Sequence, residues 1–158
     1  MSTSVTFNNA LTMTFPEGFH VMDASERKEM NILGDGPGEF LTDPDRHIIV
    51  SVGWKPLPLA ASMLLGAKDG AKNTKAAISK AMEPYGFRAN ENLKKTLGGV
   101  TAEGFSYVYT AQEIPMYGEA YVAKHKRVFY YLYLYARSEL KDMSLQVWDE
   151  ILASASWA

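Results

Sequence analysis

The sequence predicts an α+β domain in which a single antiparallel β-sheet of about six strands, an N-terminal hairpin plus a C-terminal meander, is flanked by helices. Three observations carry this reading. The run from Arg127 to Ala136 is apolar at both parities, Phe129, Tyr131, Tyr133 and Tyr135 pointing one way and Tyr130, Leu132 and Leu134 the other. A strand of that kind must be covered on both faces, which puts it in the middle of a sheet. Leu93 to Leu97, Val100 to Gln112 and Met116 to Ala123 precede it, with connections short enough for antiparallel neighbours. Finally, Leu140, Val147, Trp148, Ile151, Leu152 and Ala155 fall on one stripe of a closing helix that begins near Ser138.

The remaining elements follow in order. Val5-Thr6-Phe7 and Leu11 to Phe15 alternate around Asn8-Asn9, whose side chains tolerate the positive φ of a tight hairpin turn. Pro16-Glu17-Gly18 turns the chain, and Phe19-His20-Val21 resumes an extended path. Asp23 with Glu26 three residues on has capping-box spacing and predicts a short helix from about 24 to 32, ended by Gly34-Asp35-Gly36-Pro37-Gly38. Asp43-Pro44-Asp45 is a turn before Ile48, Val50, Val52 and Trp54 alternate along a strand. From 58 to 83 the pattern is helical with a break at Gly66 and Gly70, and Glu83-Pro84 ends it because the residue before proline avoids the α region.

Composition sets the limits. A chain of 158 residues fits one domain, 1–158, and buries a core without staples. The absence of cysteine excludes disulfides, thiolate zinc sites and cysteine nucleophiles. With no basic n-region, apolar h-region or membrane-length apolar run, the expectation is a cytoplasmic protein that does not enter a membrane. Sixteen basic and 18 acidic residues give a net charge of −2, with no overall field for nucleic acid. No cofactor loop, nucleophile elbow or metal-ligand spacing is present; His20, His47 and His125 come from three separate segments. No catalytic residue, metal or cofactor is therefore assigned.

Several local signatures nevertheless match a known pattern. Phe15-Pro16-Glu17-Gly18-Phe19 follows the first hairpin, Gly99-Val100-Thr101-Ala102 leads into Phe105-Ser106-Tyr107, and a tyrosine-rich strand precedes a helix ending Ile151-Leu152-Ala153-Ser154. Together these resemble the Mog1/PsbP-like superfamily, which includes the bacterial DcrB-like and DUF1795 proteins. The resemblance implies an antiparallel sheet with helices on its faces, used as a binding scaffold. Its members include a Ran-binding import factor, a photosystem II extrinsic subunit and chaperones for secreted bacterial effectors, and they share no active-site signature.

The candidate site is a tyrosine face. Phe105, Tyr107 and Tyr109 share parity along their strand, as do Tyr131, Tyr133 and Tyr135, and the hairpin register is expected to bring Tyr117 and Tyr121 to the same side. Glu119 and His125 share that parity and would supply polar contacts or an acid–base pair. The opposite face would then be aliphatic, with Val108, Ala120, Val122, Leu132 and Leu134 receiving the last helix. Tyrosine buries a ring while its hydroxyl seeks a partner, so the face is either a layer covered by the helices of 58–83 or a groove. Three functions fit: an adaptor, chaperone-like in class, holding a protein or peptide segment; a small-molecule carrier or small enzyme with a tyrosine-lined pocket; or a structural homodimer. Lys68, Lys72 and Lys75 form a solvated line on their helix, and Lys124-His125-Lys126-Arg127 is a basic hairpin tip, the best point for an anionic partner.

Overall fold

Four turns with positive φ at two successive residues set the register of the molecule: Asn8-Asn9, within a three-residue connection, and the two-residue connections Gly98-Gly99, Gln112-Glu113 and Lys126-Arg127. Such turns match the right-handed twist of the strands they join. The first joins β1 (Thr3–Phe7) to β2 (Leu11–Phe15), as the asparagines predict. The other three join β6 (Arg88–Leu97), β7 (Val100–Ala111), β8 (Ile114–His125) and β9 (Val128–Arg137) into the meander. The computed structural model describes residues 1–29 and 37–158.

Between hairpin and meander lie β3 (His20–Val21), α1 (Ala24–Glu29), β4 (Gly38–Asp43), β5 (Ile48–Pro56), α2 (Leu59–Leu64) and α3 (Ala67–Ala81). Reciprocal bonds from the Glu26 amide to Asp23 Oδ1 at 2.8 Å and from the Asp23 amide to Glu26 Oε1 at 3.2 Å begin α1 as its spacing predicts. The expected end of that helix near 32 and the glycine-rich turn from 34 lie largely outside the described residues. After the meander come α4 (Lys141–Ala153) and β10 (Ser156–Trp157).

The expectation of one sheet of about six strands is corrected. The structure has a seven-stranded antiparallel sheet in the order β3-β4-β5-β9-β8-β7-β6 and a separate three-stranded sheet, β1-β2-β10. The hairpin buries only one face, with Phe7, Leu11, Met13 and Phe15 inward, so it folds over the core as a lid instead of entering the large sheet. Two elements escape the sequence reading. Strand β4 hides between two turn signals, and β10 is too short to show a period.

The core lies between the large sheet and a layer made of α4 and the small sheet. Ile48, Val50, Val52, Leu132 and Leu134 face Val147, Trp148, Ile151, Leu152 and the hairpin's apolar side chains. On the other face of the large sheet α3 packs over β7 and β8. Gly70 permits that approach, since a Cβ there would lie 2.8 Å from Val122 Cγ1 and 3.1 Å from Phe129 Cε2. The helix break therefore falls at Gly66 alone, and Gly70 sits inside α3 as a contact residue.

Candidate functional site

The pairing of the meander decides which tyrosines meet. Tyr107 lies opposite Gly118 and Ala120 opposite both Phe105 and Tyr133, so the odd positions of β7 and β9 share a face with the even positions of β8. Phe105, Tyr107, Tyr109, Tyr131, Tyr133 and Tyr135 accordingly form one layer, with Tyr107 stacked on Tyr109 at 5.8 Å and Tyr133 on Tyr135 at 6.2 Å between centroids. Gly118 supplies the room: the hydroxyl end of the Tyr107 ring lies over it, with Cζ 2.5 Å from where a Cβ would be.

Tyr117, Glu119, Tyr121 and His125 do not join this layer. They point to the opposite face, toward α4 and the small sheet, while Ala120 and Val122, expected under the terminal helix, lie among the tyrosines. Glu119 is buried there and its carboxyl group accepts from Tyr117 Oη at 2.6 Å, Tyr121 Oη at 3.1 Å and Trp148 Nε1 at 3.1 Å. It ties α4 to the sheet. His125 packs against Trp157, ring centroids 4.4 Å apart and tilted by 30°. Six residues of strand separate it from Glu119, about 20 Å, so these two form no acid–base pair.

Helix α3 covers the β7–β8 half of the tyrosine layer and reaches Phe129 of β9. Over β4, β5 and β9 the same face forms a cleft of about 670 Å³. Phe40, Tyr131 and Tyr133 wall it, and Ser51, Gly53 and Gly38 make its floor. Gly38 and Gly53 sit directly opposite each other in the β4–β5 ladder, and this pair without side chains creates the hollow. Arg27 closes one side, its guanidinium 5.2 Å over the Phe40 ring and bonded to Glu39 Oε2 at 2.9 Å, and Lys55 lies at the rim. The sequence reading finds Tyr131 and Tyr133 but misses Phe40, Gly38 and Gly53. A glycine inside the alternation from Ile48 to Trp54 is the available signal, since glycine in a strand marks a close approach.

Burial sets the chemistry of the layer. It pushes the hydroxyls of Tyr109 and Tyr135 up to about 12 and those of Tyr107, Tyr131 and Tyr133 above their ordinary value as well. Tyr117 and Tyr121 on the other face are raised by burial and then by Glu119. All seven are neutral hydrogen-bonding groups at ordinary pH, unsuited to act as bases or nucleophiles. Among the described residues no three His, Cys, Asp or Glu side chains group as a metal site. Lys68, Lys72 and Lys75 line a smaller cleft of about 400 Å³ between α3 and β6–β7, with Lys75 Nζ 5.9 Å over Phe105.

No family model matches this sequence and no curated protein matches it. Solved structures do. Cyanobacterial PsbP (CyanoP) from Synechocystis sp. PCC 6803 superposes with a TM-score of 0.72 at 13% identity, over 100% of this chain and 92% of that one. The fold is Mog1/PsbP-like. LpqN of Mycobacterium tuberculosis, described as involved in cell envelope biogenesis, matches at TM-score 0.59 and 13% identity over 100% of this chain and 91% of that one. PA94 of Pseudomonas aeruginosa, a protein of unknown function, matches at 0.56 and 9% over 97% and 94%. At such identities the likeness is one of fold. The turn from Phe15 to Phe19 has a physical reason. Gly18 has φ +110° and a Cβ on it would lie 2.7 Å from Asp43 Oδ2. Arg46 pairs with that carboxylate and donates to the Glu17 carbonyl at 2.7 Å, locking the turn.

Proposed function

We propose that this chain is a non-catalytic, cytoplasmic binding module of the DUF1795 type, chaperone-like in class, that holds a protein segment in the cleft between β4, β5 and β9. One observation carries the reading: the part of the tyrosine layer that α3 leaves uncovered is a hollow with aromatic walls and a glycine floor. Desolvated aromatic rings are the side chains that dominate binding energy at such surfaces. The hydroxyls of Tyr131 and Tyr133 can serve a peptide's carbonyls, and the exposed ammonium of Lys55 can meet an acidic group. Selection of peptides displayed against the immobilised protein tests this. Bound sequences should be rich in apolar and aromatic residues, and binding should be lost in Gly53→Leu. A Cβ at Gly53 meets only the Pro37 carbonyl oxygen, at 3.5 Å, an ordinary van der Waals contact, so the backbone admits a side chain there that projects into the hollow. Peptide binding that survives Gly53→Leu overturns the assignment of the cleft.

The cleft's volume also supports a second reading, a small-molecule carrier, because it falls in the usual range for small-ligand pockets. A metabolite that raises the melting temperature of the native chain, but not of Gly53→Leu, would favour it.

A further inference from the structure

One end of the molecule combines two features that the core does not use and that share only Lys55 with the rim of the cleft. Leu59, Met63 and Leu64 of α2 are 60%, 78% and 82% exposed, an apolar knuckle on a six-residue helix. Beside it stands the β8–β9 tip, Lys126-Arg127. The two are tied together: the Leu57 amide donates to the Arg127 carbonyl at 2.7 Å, and Arg127 Nη2 reaches the Leu57 carbonyl at 3.5 Å. At the other end of α2, Lys124 Nζ donates to the Ser62 carbonyl and, at 2.8 Å, to that of Leu65. The hairpin thus holds the helix in place with its apolar side chains outward.

Cations outnumber acids around the knuckle: the nearby carboxylate of Asp69 accepts from the Gly66 amide at 2.9 Å, and Lys126 Nζ donates to the Ala158 carbonyl at 3.3 Å. Among the described residues Lys55, Lys68, Lys126 and Arg127 have no side-chain carboxylate within 4 Å, and all four are exposed. Lys126 and Arg127 also hold positive φ in their turn, where asparagine and glycine are the easy residues. An exposed apolar cluster ringed by cations marks an interaction surface, and its shape selects the partner. Three exposed apolar side chains on a six-residue helix fall far short of the roughly 800 Å² per partner that a stable protein interface covers. A fluid bilayer needs no matching shape: it takes apolar side chains below its headgroups while cations meet anionic lipid. We infer that this end of the molecule docks on an anionic lipid surface, Leu59, Met63 and Leu64 inserting and Lys55, Lys68, Lys126 and Arg127 facing the headgroups. This revises the expectation, drawn from the absence of a membrane-length apolar run, that no membrane is involved.

Co-sedimentation with vesicles of phosphatidylcholine alone, or with about a third of phosphatidylglycerol, tests it. The native chain should sediment with the anionic vesicles, and binding should weaken at least about tenfold in 0.5 M salt, in Lys126→Glu/Arg127→Glu and in Leu59→Ser/Met63→Ser/Leu64→Ser. Unchanged melting curves would show that the variants are folded. Met63→Trp, which keeps the knuckle apolar, should shift its emission to the blue on anionic vesicles and be quenched by brominated lipid. Failure of the native chain to bind, binding that survives the triple serine variant, or an unshifted emission in Met63→Trp overturns the inference. So does a native dimer that becomes monomeric in the triple serine variant, because a second copy would then cover the knuckle.

Discussion

Gly118 and Glu119 are neighbours on β8 that face opposite ways and hold opposite layers together. The ring of Tyr107 occupies the space a side chain at 118 would need, so Gly118→Ala is expected to destabilise the protein by about 2–3 kcal/mol, as overpacking does. Gly70→Ala should cost about 1–2 kcal/mol despite alanine's better helix propensity, because Val122 and Phe129 stand against the new methyl. Glu119 accepts three hydrogen bonds from buried donors. Its replacement by alanine strands all of them and is expected to cost about 3–5 kcal/mol. Glu119→Gln keeps an oxygen for Tyr121 and Trp148 and should cost only about 1–2 kcal/mol, since the Tyr117 hydroxyl can turn to accept. Chemical denaturation of the four variants checks these values. A Glu119→Ala protein as stable as Glu119→Gln would show that the network holds nothing.

At the scale of elements, the turns explain what the sequence reveals and what it conceals. Asn8-Asn9 and Gly98-Gly99 announce their turns, because these residues adopt positive φ at little cost. Gln112-Glu113 and Lys126-Arg127 adopt the same geometry without the usual chemistry. Sequence reading therefore places those connections at 113–115 and 124–126, and the face of β8 rests on parity alone. That is why Tyr117, Glu119, Tyr121 and His125 are expected among the tyrosines. The aromatic layer itself is legible, because alternation within β7 and within β9 survives any register. The cleft is not, because it depends on β4, which lies between two turn signals. Replacing Gln112-Glu113 by Asn-Gly should relieve backbone strain and stabilise the protein by about 1–2 kcal/mol with no change of structure. Both side chains are exposed. A thermal melt that shows no gain would argue against a turn with both residues at positive φ.

At the scale of the whole molecule, the tyrosines make stability depend on alkaline pH. Seven have hydroxyls raised above the ordinary value, chiefly by burial. Between pH 10 and the folded values the unfolded chain has released these protons and the native chain has not, so stability falls as pH rises. Below pH 10 the effect is absent. Each such tyrosine contributes a slope of up to about 1.4 kcal/mol per pH unit in that window. The expected behaviour is cooperative unfolding above pH 10, with tyrosinate absorbance appearing together with loss of the circular dichroism signal. Tyrosinate that forms gradually while the fold persists would mean that the rings are in contact with water. Tyr109→Phe/Tyr135→Phe should shift the transition to higher pH, as both groups are pushed up to about 12.

The small sheet has a kinetic consequence. Trp157 of β10 pairs with Leu11 of β2, and its indole donates to the Leu97 carbonyl at 2.7 Å and packs against Tyr130 and His125. This closure joins residues separated by nearly the whole sequence, so its loop entropy is spent only after the meander has formed. Substitutions in β10 should accordingly speed unfolding and leave the refolding rate almost untouched. The last strand acts as a latch, governing how long the native state persists more than how quickly it is reached.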